Sequence, residues 1–396
     1  MSERVTRLGL VGGGHSHAIF LRYWGKKPVK GVELTLISDG VQAPYSGMLP
    51  GYLAGFYGLD DTHIDLISLA HFAQAHFVLD KAIALDAPSH TVIGERSGPM
   101  TFDYLSIDIG STPQLPAIPG AEYIIPAKPV PGLLTAWENF CQSLANSVDQ
   151  PIHLTILGGG LGGIELALNC QARLQRHFQA SNQNPGLVQV VLIHRHERLL
   201  NGYPPQISQY FDQILQKRGI QCHYQTKIQQ IQALAPDTYQ VTTTTLPPFT
   251  THLIIGTTQA SPAPWIQASG LATDNRGFLC VDDTLRSPSH PNIFATGDLA
   301  SQIHCPRPKA GVFAVRQGKP LWHNLQRLLQ GQPLQPYLPQ NRYLSLIGTG
   351  DRSAIALWSS ATSSHSGQDW IAQSPLFWIG KDWIDRRFMA QFQGLG

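Results

Sequence analysis

The sequence predicts an α/β fold with two βαβ units, the second inserted in the first, followed by a C-terminal α+β segment. Three observations predict it. A strand-like run at residues 8–11 enters Gly12-Gly13-Gly14, and a helical pattern (Ala18, Ile19, Leu21, Tyr23, Trp24) and a second strand at 32–38 follow. The same order recurs as a strand at 152–157, Gly158-Gly159-Gly160, a helix at 161–176 and a strand at 188–193. Residues 113–132 between them carry six prolines and read as a linker. The two glycine loops stand about 145 residues apart, which marks a duplicated unit rather than a short-period repeat.

The remaining elements follow in order. Residues 62–75 read as a helix, with Ile64, Leu66, Ile67, Leu69 and Phe72 apolar. Residues 77–85 and 90–94 alternate like a hairpin, and 102–109 form a strand that ends at Gly110-Ser111. A helix is expected over 133–147. Strands at 220–224, 228–233, 239–244 and 252–255 close the second unit. A short strand at 291–294 precedes Ala295-Thr296-Gly297-Asp298, and a helix covers 311–329. After an irregular Gln/Pro-rich stretch come strands at 343–347 and 354–358, a polar Ser/Thr/Gly stretch, and an aromatic helix over 376–392. The expected domains are 1–112 with 276–340, 113–275, and 341–396.

Composition narrows the function classes. A chain of 396 residues holds two or three domains. Charged residues make up 14% and the net charge is +2, which gives no electrostatic case for nucleic acid. The five cysteines are scattered, with no C-x-x-C, so a zinc ribbon and a local redox dithiol are not expected. A reducing, cytoplasmic setting fits such cysteines. The N-terminus lacks the apolar stretch of a signal peptide. Residues 154–170 are apolar but include five glycines and Glu165, which is no membrane span.

The glycine loops carry the chemistry. In Gly158-x-Gly160-x-x-Gly163 the first glycine permits the turn and the second admits a pyrophosphate. The third lets helix and strand pack closely, and the helix N-terminus, opening at Leu161, attracts the anion. The strand after it ends in His194-Arg195-His196, without the acid that usually takes ribose hydroxyls; Arg195 suits a 2′-phosphate. A solvated strand-end charge is the plain alternative for Arg195. The first loop reads Gly12-Gly13-Gly14-His15-Ser16-His17, with His17 where the third glycine would stand. His15 and His17 are expected to line the phosphate or flavin cavity rather than to bind metal, because no further ligand cluster accompanies them. Asp39 follows the second strand, displaced by one from the expected acid position. Gly110 ends one strand, and Gly297-Asp298 ends another where a carboxylate can accept from sugar hydroxyls.

Together these motifs resemble the two-dinucleotide-binding flavoproteins of the pyridine nucleotide–disulfide reductase superfamily. The resemblance runs from about residue 5 to about residue 325. It implies that the first loop and the 293–298 segment bind FAD and that the second loop binds NAD(P)H. No cysteine pair follows the first unit, where the chain reads Tyr45-Ser46-Gly47-Met48-Leu49-Pro50-Gly51. That departure is similar to the type II NADH:quinone oxidoreductases and implies hydride relay without a dithiol. Residues 12–17, 45–51, 309–318 and 384–389 further resemble a subfamily found fused ahead of selenide, water dikinase. No kinase portion is expected in this chain.

The resemblance also implies roles. Glu165, near nicotinamide and flavin, orients NAD(P)H or relays a proton. Lys309, with Ala310 and Gly311 at the start of a helix, stabilises reduced flavin. Of the paired glutamines that flank the flavin in quinone enzymes only Gln317 remains, Phe313 taking the other place. The expectation is an FAD-dependent NAD(P)H oxidoreductase that passes hydride to a small acceptor such as a quinone. Two alternatives stand beside it: an electron-input or scaffold module linked to selenium metabolism, and a sulfide:quinone-type reductase using Cys305. A homodimer is open. In the C-terminal helix Leu376, Ile379, Trp383, Ile384 and Phe388 cover half of the wheel. That face is expected to pack on the flavin domain or a second subunit, with peripheral membrane contact through 375–396 as the alternative.

Overall fold

The computed structural model describes residues 5–144, 150–361 and 369–395. Two parallel five-stranded sheets organise it. The first has the order Ile293–Ala295, Tyr104–Ile107, Thr6–Val11, Val32–Ser38 and His76–Leu79. The second has the order Ile124–Pro126, Leu253–Gly256, Ile152–Leu157, Val188–Ile193 and Gln221–His223. In each, the strand that leads into a glycine loop is the middle one, so each loop opens at the carboxyl edge of its sheet, beside neighbours on both sides.

Burial explains the strand choice. Leu8, Leu10, Leu34, Leu36, Leu105 and Ile107 are fully enclosed in the first sheet, and Leu154, Ile156, Leu192 and Ile255 in the second. Intervening positions such as Val11, Ile37, Ser106, Thr155 and Leu157 are buried as well, as expected for strands covered on both faces. The helix Gly311–Leu329 lies against His15–Lys26. A Cβ at Gly318 would stand 2.6 Å from Ile19, and Ser16 Oγ donates to Ala314 O at 2.7 Å. Only glycine allows that approach, which sets the start of the late helix beside the first loop.

Two small antiparallel sheets, Ala82–Asp86/Thr91–Gly94/Gly98–Thr101 and Ile228–Ala235/Thr238–Thr243/Phe249–Thr251, hang from the two large ones. The C-terminal segment is a third, Arg342–Gly348, Ala354–Ser360 and Trp370–Ser374, followed by the helix Pro375–Met389. Trp378 of that helix is buried, 5.0 Å from the ring of Phe56 and 6.1 Å from Tyr57.

Several local readings change. The helix expected over 62–75 is split, because His63–Asp65 pairs with Gln42–Pro44 before Leu66–Phe72 turns helical under an Asp65 cap. The run expected to open the hairpin at 77 starts instead as the edge strand of the first sheet, and the hairpin begins at Ala82. The helix expected at 133–147 begins at Val130, because Pro131 suits a first-turn position, and runs to Ser143; its expected end at 145–147 lies outside the described residues. So does 362–368, most of the polar stretch. Residues 370–374, placed by composition at the end of the polar stretch, form a strand, Trp370–Ser374, that pairs with Ala354–Ser360.

Candidate functional site

The first loop folds around a buried carboxylate. Gly12 has φ +97°, and a Cβ there would stand 2.4 Å from Asp108 O. A Cβ at Gly14 would stand 2.3 Å from the Asp108 carboxyl carbon, so only glycine fits. Gly13 meets Leu66 and Ser38 in the same way. Gly14 caps the helix without a side-chain acceptor, and Asp108 supplies one instead: its Oδ2 accepts from Ser16 N at 2.9 Å and His17 N at 3.3 Å. Asp108 lies beyond the Tyr104–Ile107 strand and was not singled out from sequence. The signal was a polar residue in an otherwise apolar strand end.

His17 does not line a cavity. It is fully buried, with Nδ1 2.7 Å from Gly12 O and Nε2 2.8 Å from Ser106 Oγ. Nδ1–H donates to the carbonyl, so Nε2 accepts the hydroxyl proton. Burial pushes its pKa down to about 4, so the ring is neutral and ties loop to strand. His15 sits at the start of the helix. Its Nε2 is enclosed without a partner, and its ring packs 5.5 Å from Tyr45 and 6.3 Å from Phe388. Asp39 is exposed beyond Ser38, and Gly110, φ +68°, faces open space.

The Gly297–Leu299 turn brings the second acid. Gly297 has φ +66°, its absent Cβ would stand 2.2 Å from Asp108 Oδ1, and its N–H donates to Gln317 Oε1 at 2.6 Å. Gln317 therefore holds the turn. Asp298 Oδ2 accepts from Lys128 Nζ at 2.7 Å and Ser111 Oγ at 3.3 Å. Burial alone would raise the Asp298 pKa, but the Lys128 ammonium beside it holds it below the usual range. Lys128 came unannounced because it sits inside the proline-rich segment read as linker.

Lys309 borders a small cavity with Asp298, Ala310, Phe313 and Gln317. Its ammonium is already committed: Nζ donates to Ala300 O at 2.6 Å and lies 4.2 Å from the centre of the Phe278 ring. Burial pulls its pKa down to about 8. The cation bonded to Asp298 is Lys128, which the sequence reading did not single out. Ala310 caps the helix that Gly311 opens, with no side-chain acceptor there.

The second loop is an open cradle. Gly158 has φ +126°, and its N–H donates to Ile193 O at 2.9 Å. A Cβ at Gly163 would stand 2.0 Å from Gly158 O, while Gly160 and Gly162 face open space. Gly160 caps the helix Leu161–Ala180 without a side-chain acceptor. Glycine walls and an uncapped helix start suit a pyrophosphate. His194, in the expected acid position, folds back so that Nδ1 accepts from Gly159 N at 3.0 Å, and burial pushes its pKa to about 4. Arg195 is exposed, 3.1 Å from Gln259 Oε1.

Glu165, one turn into that helix, reaches the C-terminal sheet: its Oε1 accepts from Gly348 N at 2.7 Å. Burial raises its pKa to about 7, against the pull of the Lys381 charge. Lys381 and Asp385 are 5% and 4% exposed, paired at 2.6 Å, and Tyr45 Oη donates to Asp385 Oδ1 at 3.0 Å. Tyr45, Asp385 and Lys381 thus form one hydrogen-bonded group, with the His15 ring edge-on to Tyr45 on one side and the Lys381 charge acting on Glu165 on the other.

The C-terminal helix does not lay its apolar face on the rest of the chain, as one of the expected placements had it. Leu376, Ile379, Trp383 and Ile384 are 72%, 62%, 59% and 46% exposed, and only Phe388 of the five is buried. The buried Lys381–Asp385 pair turns the opposite face inward. A cavity of about 550 Å³ lies between Tyr203, Cys305, Arg307, Tyr343 and Ser359. It shares Arg307 and Pro308 with the small cavity at Asp298. All five cysteines are free. Among the described residues no helix is long and apolar enough to cross a membrane.

Comparison with known proteins follows the same lines. The pyridine nucleotide-disulphide oxidoreductase family model matches residues 7–320. The assimilatory nitrate reductase electron transfer subunit of Bacillus subtilis is 27% identical over 256 residues, 64% of this chain and 30% of that one. The match thus spans under a third of that relative. Sulfide:quinone oxidoreductase from Aquifex aeolicus superposes with a TM-score of 0.76 at 18% identity, covering 99% of this chain and 92% of its own. NDH2 from Plasmodium falciparum, solved with NADH, gives 0.77 at 14% identity, covering 98% of each.

Proposed function

The chain belongs to the pyridine nucleotide-disulphide oxidoreductase family, whose members are FAD-dependent NAD(P)H oxidoreductases, and on that premise we propose that it passes hydride from NAD(P)H through FAD to a small acceptor of the quinone class. The observation that carries the reading is the pair of glycine loops at the carboxyl edges of two parallel sheets, with the buried Tyr45–Asp385–Lys381 group placed near residues of both and no cysteine pair beside the first loop. We assign FAD to residues 1–112 with 276–340, and NAD(P)H to 113–275.

FAD, when bound, supplies the two-electron chemistry between nicotinamide and acceptor. The chain's residues bind and orient. Gly12, Gly13, Gly14 and the N–H of His15 hold the FAD pyrophosphate, and Asp298 takes a hydroxyl of its sugar-alcohol chain, with Lys128 and Ser111 fixing that carboxylate. Gly158, Gly160, Leu161 and Gly163 hold the nicotinamide nucleotide, and Arg195 reads a 2′-phosphate. Glu165 holds a proton near neutral pH, and the Lys381 charge, kept in place by Asp385, opposes that protonation. The cavity at Tyr203 and Tyr343, whose hydroxyls suit a carbonyl-bearing neutral molecule, receives the acceptor. A screen of quinones, oxygen and selenium compounds against reduced enzyme tests the class. Quinone turnover well above the others supports it; oxygen or selenium compounds as the sole oxidants overturn it.

The exposed face of the C-terminal helix favours a second feature. Leu376, Ile379 and Trp383 project outward, with Arg387 5.2 Å from the Trp383 ring. An aromatic and aliphatic face edged by arginines suits the interface of an anionic bilayer, where a lipid-soluble quinone resides. Peripheral contact there would bring the protein to the phase in which such an acceptor dissolves.

A further inference from the structure

Asp108 occupies the start of the His15–Lys26 helix, beside the position assigned to the FAD pyrophosphate. Its placement is fixed on every side. Its N–H donates to Val11 O at 2.8 Å, and its carbonyl accepts from Gly14 N at 3.2 Å. Its Oδ2 takes the N–H groups of Ser16 and His17. Gly12, Gly14 and Gly297 have no Cβ where one would collide with it. The three glycines at the mouth of this cradle are thus needed to admit the chain's own carboxyl group. An ionised Asp108 and a doubly charged pyrophosphate would share one helix terminus in a setting with 2% exposure.

We propose that FAD binding takes up one proton at Asp108, which then faces the pyrophosphate as a neutral acid. The inference rests on the FAD assignment. The proton comes from solvent and goes to Oδ1, the oxygen not engaged by the helix N–H groups. The groups facing Asp108 are His15 and His17 on the helix, Ser106 on its own strand, and Asp298 with its partner Lys128 across the Gly297 turn. Burial raises its pKa to about 6 and Asp298 adds to that, while His15 opposes it. His17 is neutral and bonded to Gly12 and Ser106. A protonated His15 would also favour FAD at low pH, so the two must be separated.

Flavin-stripped protein is titrated with FAD, read by quenching of flavin fluorescence, at values from about pH 5 to about pH 8.5. Wild-type Kd should rise about tenfold per pH unit above the Asp108 titration. Asp108→Asn should bind with little pH dependence and about tenfold or more tighter than wild type near pH 8. His15→Asn should keep the wild-type slope. A flat wild-type profile, a slope kept in Asp108→Asn, or a slope lost in His15→Asn overturns the inference. Should Asp108→Asn not fold, calorimetry of wild type in two buffers of different ionisation enthalpy decides: about one proton taken up near pH 8 supports it, and none overturns it. FAD binding at no pH overturns the FAD assignment itself, and the inference with it.

Discussion

Lys128 Nζ stands 2.7 Å from Asp298 Oδ2, joining the segment that enters the second sheet to the turn that ends the first. It places a cation from the segment that follows an edge strand of the second sheet on the acid beyond an edge strand of the first. Asp298→Ala should lower FAD affinity at least tenfold, on the order of 1.4 kcal/mol, and leave Lys128 without its partner. Equilibrium dialysis of FAD measures it; full flavin stoichiometry in the variant would refute the assignment. Lys128→Met should weaken FAD less, because Ser111 still contacts the carboxylate.

Glu165 carries a pH signature. Its proton is held more tightly in the folded chain, at about 7, than at the ordinary 4.5, because of burial. Its favourable contribution is therefore complete below about pH 4.5 and is lost as pH rises through about 7. Glu165→Gln should raise stability near pH 8 by on the order of 1 kcal/mol and change it little near pH 5. Thermal unfolding at the two values checks this. The same variant should lose any ionisation near neutrality in the rate of flavin reduction; a retained ionisation places that proton elsewhere.

Arg195 is free to meet a ligand, since its exposed guanidinium bonds only weakly placed neighbours, Gln259 and His196. Arg195→Ala should raise KM for NADPH about tenfold and leave NADH nearly unchanged, the worth of one charge-assisted phosphate contact. Equal effects on both nucleotides would mean that Arg195 does not read the 2′-phosphate.

The helix Pro375–Met389 makes two separable predictions. Replacing Leu376, Ile379 and Trp383 by serine should abolish sedimentation with anionic vesicles while FAD content and thermal stability hold, because these side chains are exposed. Lys381→Met should instead destabilise the chain by about 3 kcal/mol, since it strands buried Asp385. Vesicle binding unchanged by the triple serine variant would remove the membrane reading.

Much of the frame was legible in the sequence because its signals are local. A strand, three glycines and an amphipathic helix announce each unit, and the boundaries of the helix Gly311–Leu329 coincide with its apolar period. What was not legible depends on distant partners. His17 fills a glycine's place because Ser106, from another strand, satisfies its second nitrogen. Lys309 turns to Ala300 and Phe278, and Lys128 crosses to Asp298; neither partner is readable from spacing. In the last helix the inward face differs from the apolar arc for a physical reason. Periodicity assumes that charges face water, and here a Lys381–Asp385 pair, satisfied by Gly47 and Tyr45, is buried while the apolar face stays outside.

Relay from NAD(P)H to FAD without a dithiol is decided by anaerobic titration of the FAD-loaded protein with NADPH, and separately with NADH, followed by flavin absorbance. Complete bleaching is expected at about one equivalent of nucleotide per FAD, because the flavin is then the two-electron store. No bleaching by either nucleotide, or a requirement for about two equivalents as a flavin-plus-dithiol pair shows, overturns the relay.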